Sequence, residues 1–166
     1  MAAAGVRDSE ARRRVGSFRF ERVSSTESFD EIVEKNRQAG LSILNGSPDG
    51  YKEIYSERDD VTNANPFGPP VRGREAVFKR LDGAAANYRD GESYEAEEIS
   101  RYVGADLGCL VEIERARAKV AGGDELVPIA IRTTSIFRRE EDGWRLVHRH
   151  ADPIVSTRPG ESVIAE

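Results

Sequence analysis

A chain of 166 residues with 25 Lys and Arg against 30 Asp and Glu carries a formal charge of −5. At ~150 residues per domain, that length is one domain with short appendages. The acidic balance argues against a dedicated nucleic-acid binder, whose surface is basic, and no apolar run approaches the ~20 residues of a membrane span. One cysteine, Cys109, excludes an internal disulfide. The start MAAAGVRDSEARRR puts charges where an export signal needs an apolar stretch, so the cytoplasm is the expected compartment.

Residues 1–24 hold Arg12, Arg13 and Arg14 without sustained periodicity and read as a mobile tail. The alternation of Phe18 and Phe20 would let this stretch dock as an edge strand. The domain is expected over residues 25–155, with 156–166 as a C-terminal tail. SFDE matches a capping box, Ser28 capping free amides and Glu31 reaching back. Phe29, Ile32, Val33, Leu41 and Leu44 then fall near one face of a helix ending around Asn45-Gly46. Ser47-Pro48 starts a short second helix with Tyr51, Ile54 and Tyr55 on its buried side, and VTNAN reads as a short strand. The prolines make NPFGPP a rigid loop. GREAVFKRLDGAAANY is a third helix with Val77, Leu81, Ala84, Ala85 and Tyr88 along one side. Residues 94–103, 107–118, 126–138 and 143–153 are rich in β-branched and aromatic side chains and separated by the turns GADLG, AGGDE and EEDG. Strands clustered after helices favour α+β over a parallel α/β sheet.

Strand side chains alternate between two faces. Pairing Phe137 with Trp144 and Glu114 with Ser135 gathers Leu110, Glu112, Glu114, Ala116, Ile131, Thr133, Ser135, Phe137, Trp144, Leu146, His148 and His150 on one face. The other face collects Cys109, Val111, Ile113 and Ile136 with the arginines 115, 117, 132, 145 and 149, and is expected to meet solvent or the rim of a subunit interface, because arginine is seldom buried without a partner. The first face is apolar at one end. At the other it holds both histidines, two glutamates and two hydroxyls, the make-up of a small-molecule pocket.

Those groups suit proton transfer. Desolvation raises a carboxylate's pKa toward neutrality, and histidine begins near ~6.5. Glu114 or Glu112 is the expected base, His148 the proton donor or polarising group, and His150 its orienter. Tyr51, Tyr55, Asn63, Phe67, Thr133, Ser135 and Trp144 are the expected substrate contacts. A His-x-His pair without a third histidine or a cysteine pair is a poor metal set, so neither metal nor cofactor is expected. No P-loop, G-x-G-x-x-G or G-x-S-x-G pattern occurs.

The element order, the stretch NPFGPPVRGREAV and the ending IFRREEDGWRLVHRHADP resemble the nuclear transport factor 2-like superfamily, in its SnoaL-like and ketosteroid-isomerase-like branch. The ending is also similar to the association domain of calcium/calmodulin-dependent protein kinase II, whose last strand reads W-x-x-V-H-x-H, as Trp144, Val147, His148 and His150 do here. The resemblance spans Ser28 to Pro153. It implies an α+β cone: a curved, mostly antiparallel sheet wrapped around about three N-terminal helices, with a cavity at the open end and a homodimer through the sheet. Where the kinase association domain carries two pocket arginines, this chain has Glu114 and Ser135, so an anion-binding cavity is not expected.

Two function classes stay open. One is a cofactor-free acid–base enzyme, an isomerase, dehydratase or cyclase acting on a largely apolar carbonyl compound. The other is a non-catalytic dimerisation and ligand-binding module. Glutamates neutralised by arginines would favour the second. Neither nucleic acid nor membrane is an expected partner.

Overall fold

The computed structural model describes residues 27–164. The expected N-terminal tail, with its arginine cluster, Phe18 and Phe20, lies outside them. Among the described residues no helix is long and apolar enough to cross a membrane.

The first helix, α1 (Phe29–Leu44), starts as its sequence requires. The Ser28 side chain accepts from the Glu31 amide at 3.2 Å and the Glu31 carboxylate accepts from the Ser28 amide at 2.6 Å. Helix α2 (Asp49–Ile54) follows, then strands β1 (Thr62–Ala64) and β2 (Val71–Arg72). β2 is a strand that the proline-rich loop concealed. Helix α3 (Arg74–Ala85) begins after Gly73, whose φ of 94° favours glycine. With no side chain there to cap it, Asp59 accepts the Arg74 amide from across the turn at 2.9 Å.

Four long strands complete the sheet: β3 (Tyr88–Val103), β4 (Leu107–Val120), β5 (Val127–Glu140) and β6 (Gly143–Asp152), and a 3-10 turn follows at Gly160–Val163. Tyr88 opens β3 instead of closing α3. The sheet order is β2-β1-β6-β5-β4-β3. All neighbours are antiparallel except β1, which runs parallel to β6. Among the described residues, three helices against one curved six-stranded sheet form the expected α+β cone.

The core lies between α1 and the inner face of the sheet. Phe29 meets Phe137 and Trp144 edge-on, at centroid distances of 5.4 and 5.0 Å. Gly108 makes room for this cluster, since a Cβ there would come within 2.1 Å of the Phe29 ring. Leu110, Leu146, Ile32 and Val33 pack around it, and Ile54 of α2 and Val77 and Leu81 of α3 extend the same cluster. Leu41, expected on the buried face of α1, is exposed, and Asn36, Ala39 and Gly40 are buried instead.

Both hairpins pair differently from expectation. Glu114 faces Ile131 rather than Ser135, and Phe137 faces Leu146 rather than Trp144. Each slip is an even number of positions, so by itself it leaves the faces intact. A third irregularity does not. Phe137 pairs with Leu146 but Ile136 pairs with His148, so Val147 is an extra residue on β6. Beyond this bulge the alternation inverts: Trp144 and Leu146 point inward, and so do Arg149 and Ala151.

Candidate functional site

The inversion at Val147 turns His148 and His150 to the outer face. This corrects the expectation that the imidazoles line the pocket with the glutamates. His148 is half-buried and shares a 2.7 Å hydrogen bond through Nδ1 with the Thr62 hydroxyl on β1. His150 is exposed, with Nε2 3.5 Å from Asp152. Burial, followed by the charge of His150, lowers the His148 pKa from its ordinary 6.5. The folded state thus takes a proton less readily than the unfolded chain. Stability is full above about pH 6.5 and falls as pH drops through the lowered value. In urea denaturation between about pH 7.5 and 5, His148→Gln is expected to flatten this slope; an unchanged slope would show that His148 does not set it.

The same bulge brings Arg149 inside, against the expectation that all five arginines of that face meet solvent or an interface rim. Its side chain is 7% exposed, and Nη2 donates to Glu114 Oε2 at 2.8 Å. Glu114 Oε1 accepts from the Thr133 hydroxyl at 3.2 Å. Burial alone would lower the Arg149 pKa, but the charge and hydrogen bond of Glu114 outweigh it and the guanidinium is held well above its usual range. Glu112, 1% exposed, accepts from Arg37 Nε and Nη2 of α1 at 2.9 and 2.7 Å. Burial keeps its pKa above the ordinary carboxylate value despite Arg37. Each glutamate expected to act as a free base therefore holds an arginine.

A cavity of about 70 Å³ opens beside the Glu114–Arg149 pair, room for several water-sized spheres. Gly40, Ile43 and Leu44 of α1, Tyr51 of α2 and Leu81 and Ala84 of α3 cover it; Ala116, Ile129, Ile131 and Ala151 form its sheet wall. Phe67, 45% exposed, stands near the mouth with its ring 5.8 Å from Tyr88. Among the expected contacts, Tyr51, Asn63 and Phe67 line this space. Tyr55, Thr133, Ser135 and Trp144 do not. Tyr55 holds Asn63, Thr133 holds Glu114, Ser135 is buried opposite Arg149 on the neighbouring strand, and Trp144 belongs to the aromatic core.

The polar side chains of the cavity are few. The Tyr51 and Tyr94 hydroxyls, Arg149 Nη1 and Asn63 Oδ1 are all buried and have no hydrogen-bond partner among the described residues. Burial raises the pKa of both Tyr51 and Tyr94 far above 10, so each hydroxyl keeps its proton and stays a donor. The Tyr55 hydroxyl, outside the cavity lining, is pushed up to about 12 by burial, against the hydrogen bond from Asn63. The Arg149 guanidinium lies 5.2 Å from the centroid of the Tyr51 ring.

Tyr94 is a cavity residue that the sequence pattern missed. Register shifts between Arg89 and Glu95, with positive φ at Asp90 and Ser93, re-aim β3 just before it. Its ring then packs on Gly40, where a Cβ would fall 2.7 Å from the Tyr94 oxygen. A visible signal for Arg149 was the mixed phase of β6: Trp144 and Leu146 share one parity and Ala151 the other, and only a bulge buries all three.

Comparison with known proteins agrees with this architecture. A calcium/calmodulin-dependent protein kinase type II association domain, described as such from Thiobacillus denitrificans, is 25% identical with a TM-score of 0.62, covering 78% of this chain and 97% of that one. A protein from Streptomyces avermitilis described as a dehydratase of the NTF2-like family is 21% identical with a TM-score of 0.64, over 76% and 96%. A nuclear transport factor 2-like superfamily protein from Salmonella enterica is 19% identical with a TM-score of 0.66, over 80% and 94%. A curated relative, the uncharacterized protein ORF107 of Ostreid herpesvirus 1, is 38% identical over 90 residues. That match takes in 52% of this chain and only 12% of the relative's length. Residues 32–156 match the SnoaL-like domain, and with the helix-covered mixed sheet this places the chain in the SnoaL-like family, on the nuclear transport factor 2-like fold.

Proposed function

We propose that this SnoaL-like protein binds a compact, largely apolar small molecule by an oxygen atom, and that the cavity serves recognition rather than proton transfer. The observation that carries this reading is the set of unpartnered donors in an apolar enclosure: the Tyr51 and Tyr94 hydroxyls and Arg149 Nη1. A buried donor without an acceptor costs about 1–3 kcal/mol, and a carbonyl or similar ligand oxygen would satisfy several at once. Dimerisation through the outer sheet face belongs to the same proposal, since a second copy would cover half-buried Val111, Ile113 and Ile136 and exposed Tyr102, Val103 and Leu107.

Turnover is the second reading, and Glu114 is the observation in its favour, as the carboxylate that lines the cavity. Both its oxygens are already engaged, by Arg149 and Thr133. Base chemistry would have to loosen a buried ion pair first, which weighs toward binding.

The test is a fragment screen by ligand-observed NMR on the wild type and on Tyr94→Phe. Removing an unpartnered hydroxyl should leave folding stability unchanged or slightly raised. Carbonyl-bearing hits should weaken about ten-fold. Hits that bind Tyr94→Phe as well as the wild type would separate recognition from these donors and refute the proposal.

A further inference from the structure

The geometry points to a selectivity, resting on the binding reading above: the cavity takes an uncharged group that presents an acceptor and a donor side by side, as a carboxamide or lactam does, and discriminates against the carboxylate of the same shape. The argument is one of proton accounting. The Tyr55 hydroxyl has a single proton, which it donates to the Thr62 carbonyl at 3.2 Å. Its 3.2 Å contact with Asn63 must then be one in which it accepts, which requires the amide nitrogen of Asn63 at that position. The side-chain amide is thereby fixed, and Oδ1 is left as the unpartnered acceptor of a cavity-lining residue.

Asn63 and Arg149 are direct register partners on β1 and β6, so their backbones stand one strand spacing apart, about 4.8 Å, and both side chains line the cavity. Arg149 has committed Nη2 to Glu114, and its Nη1 is unpartnered. The wall thus offers one acceptor and one donor on adjacent strands, where an anion site would offer donors only. A carboxylate that reached Nη1 with one oxygen would set its other oxygen against the lone pairs of Asn63. It would also bring a negative charge toward Glu114, whose own charge already neutralises the guanidinium. A carboxamide satisfies both wall atoms, its carbonyl accepting from Nη1 and its N–H donating to Oδ1. The carbonyl's second lone pair is left for one further donor, the Tyr51 or the Tyr94 hydroxyl. Sites that leave a buried polar group unpaired reject the wrong analogue strongly.

The test uses three compounds that share one ring and one carbonyl: benzamide, acetophenone, which lacks the donor, and benzoate, which is charged. Affinities are measured by NMR titration at neutral pH on the wild type and on Asn63→Ala, whose fold is checked by its amide spectrum. Benzamide should bind the wild type about ten-fold or more tighter than benzoate, and tighter than acetophenone. In Asn63→Ala its advantage over acetophenone should vanish. The wild-type comparison stands whether or not the variant folds. Benzoate binding as tightly as benzamide, or an advantage for benzamide that survives in Asn63→Ala, would overturn the selectivity. Should benzamide fail while the screen yields carbonyl ligands that depend on Tyr94, this inference falls alone. If the screen is silent as well, the binding reading falls with it.

Discussion

Arg149→Met is expected to destabilise the protein by about 3–5 kcal/mol in urea denaturation, because it leaves the Glu114 charge buried without its partner. Methionine keeps much of the arginine stem's volume, so lost packing is a minor part of the effect. The Thr133 hydroxyl alone then faces a carboxylate that is 5% exposed. Adding Glu114→Gln to the same chain should restore most of the loss, since the neutral amide carries no comparable desolvation cost and can still accept from Thr133. A double variant as unstable as the single one would mean that Arg149 stabilises through packing against Tyr51 rather than through its charge.

Trp144→Ala should cost a similar amount, about 3–5 kcal/mol. Trp144 has no exposed surface; its ring meets Phe29 edge-on on one side and lies 4.6 Å from the Arg139 guanidinium on the other. Truncation opens a void between α1 and the sheet that cannot collapse without moving the helix. Trp144→Phe should cost far less, because the indole Nε1 has no hydrogen-bond partner among the described residues to lose. Trp144 is the only tryptophan of the chain, so circular dichroism rather than fluorescence should follow these transitions. Equal losses for Ala and Phe would point to a role for Nε1 that the packing does not show.

The fold was readable where its code is local. The Ser28–Glu31 box, the Pro48 restart and the four β-rich segments each carry their signal within a few residues, and the structure holds all of them. The inner positions of β4 were also readable, because strict alternation puts Leu110, Glu112, Glu114 and Ala116 on one face whatever the register. The chemistry of the site was not. A single extra residue at Val147 exchanged two histidines for one arginine, and nothing in the composition of RLVHRH marks where a ladder skips. Tyr94 was hidden for a similar reason, since bulges in β3 decide where its ring goes. The partners of Glu112 and Glu114 come from α1 and β6, separated from them by 75 and 35 positions. Such pairings belong to the folded geometry and leave no pattern along the chain.

The parallel union of β1 with β6 has a consequence for how the protein matures. Thr62 and His148 are joined across 86 positions, and ring closure over such a distance is entropically demanding for a contact of only three residue pairs. The antiparallel hairpins can zip locally beforehand, so this seam is the expected last event of folding. Asn63 reaches its post beside Arg149 only when the seam closes. Recognition competence therefore arrives at the end of folding, and a bound guest would act as a latch on that final closure.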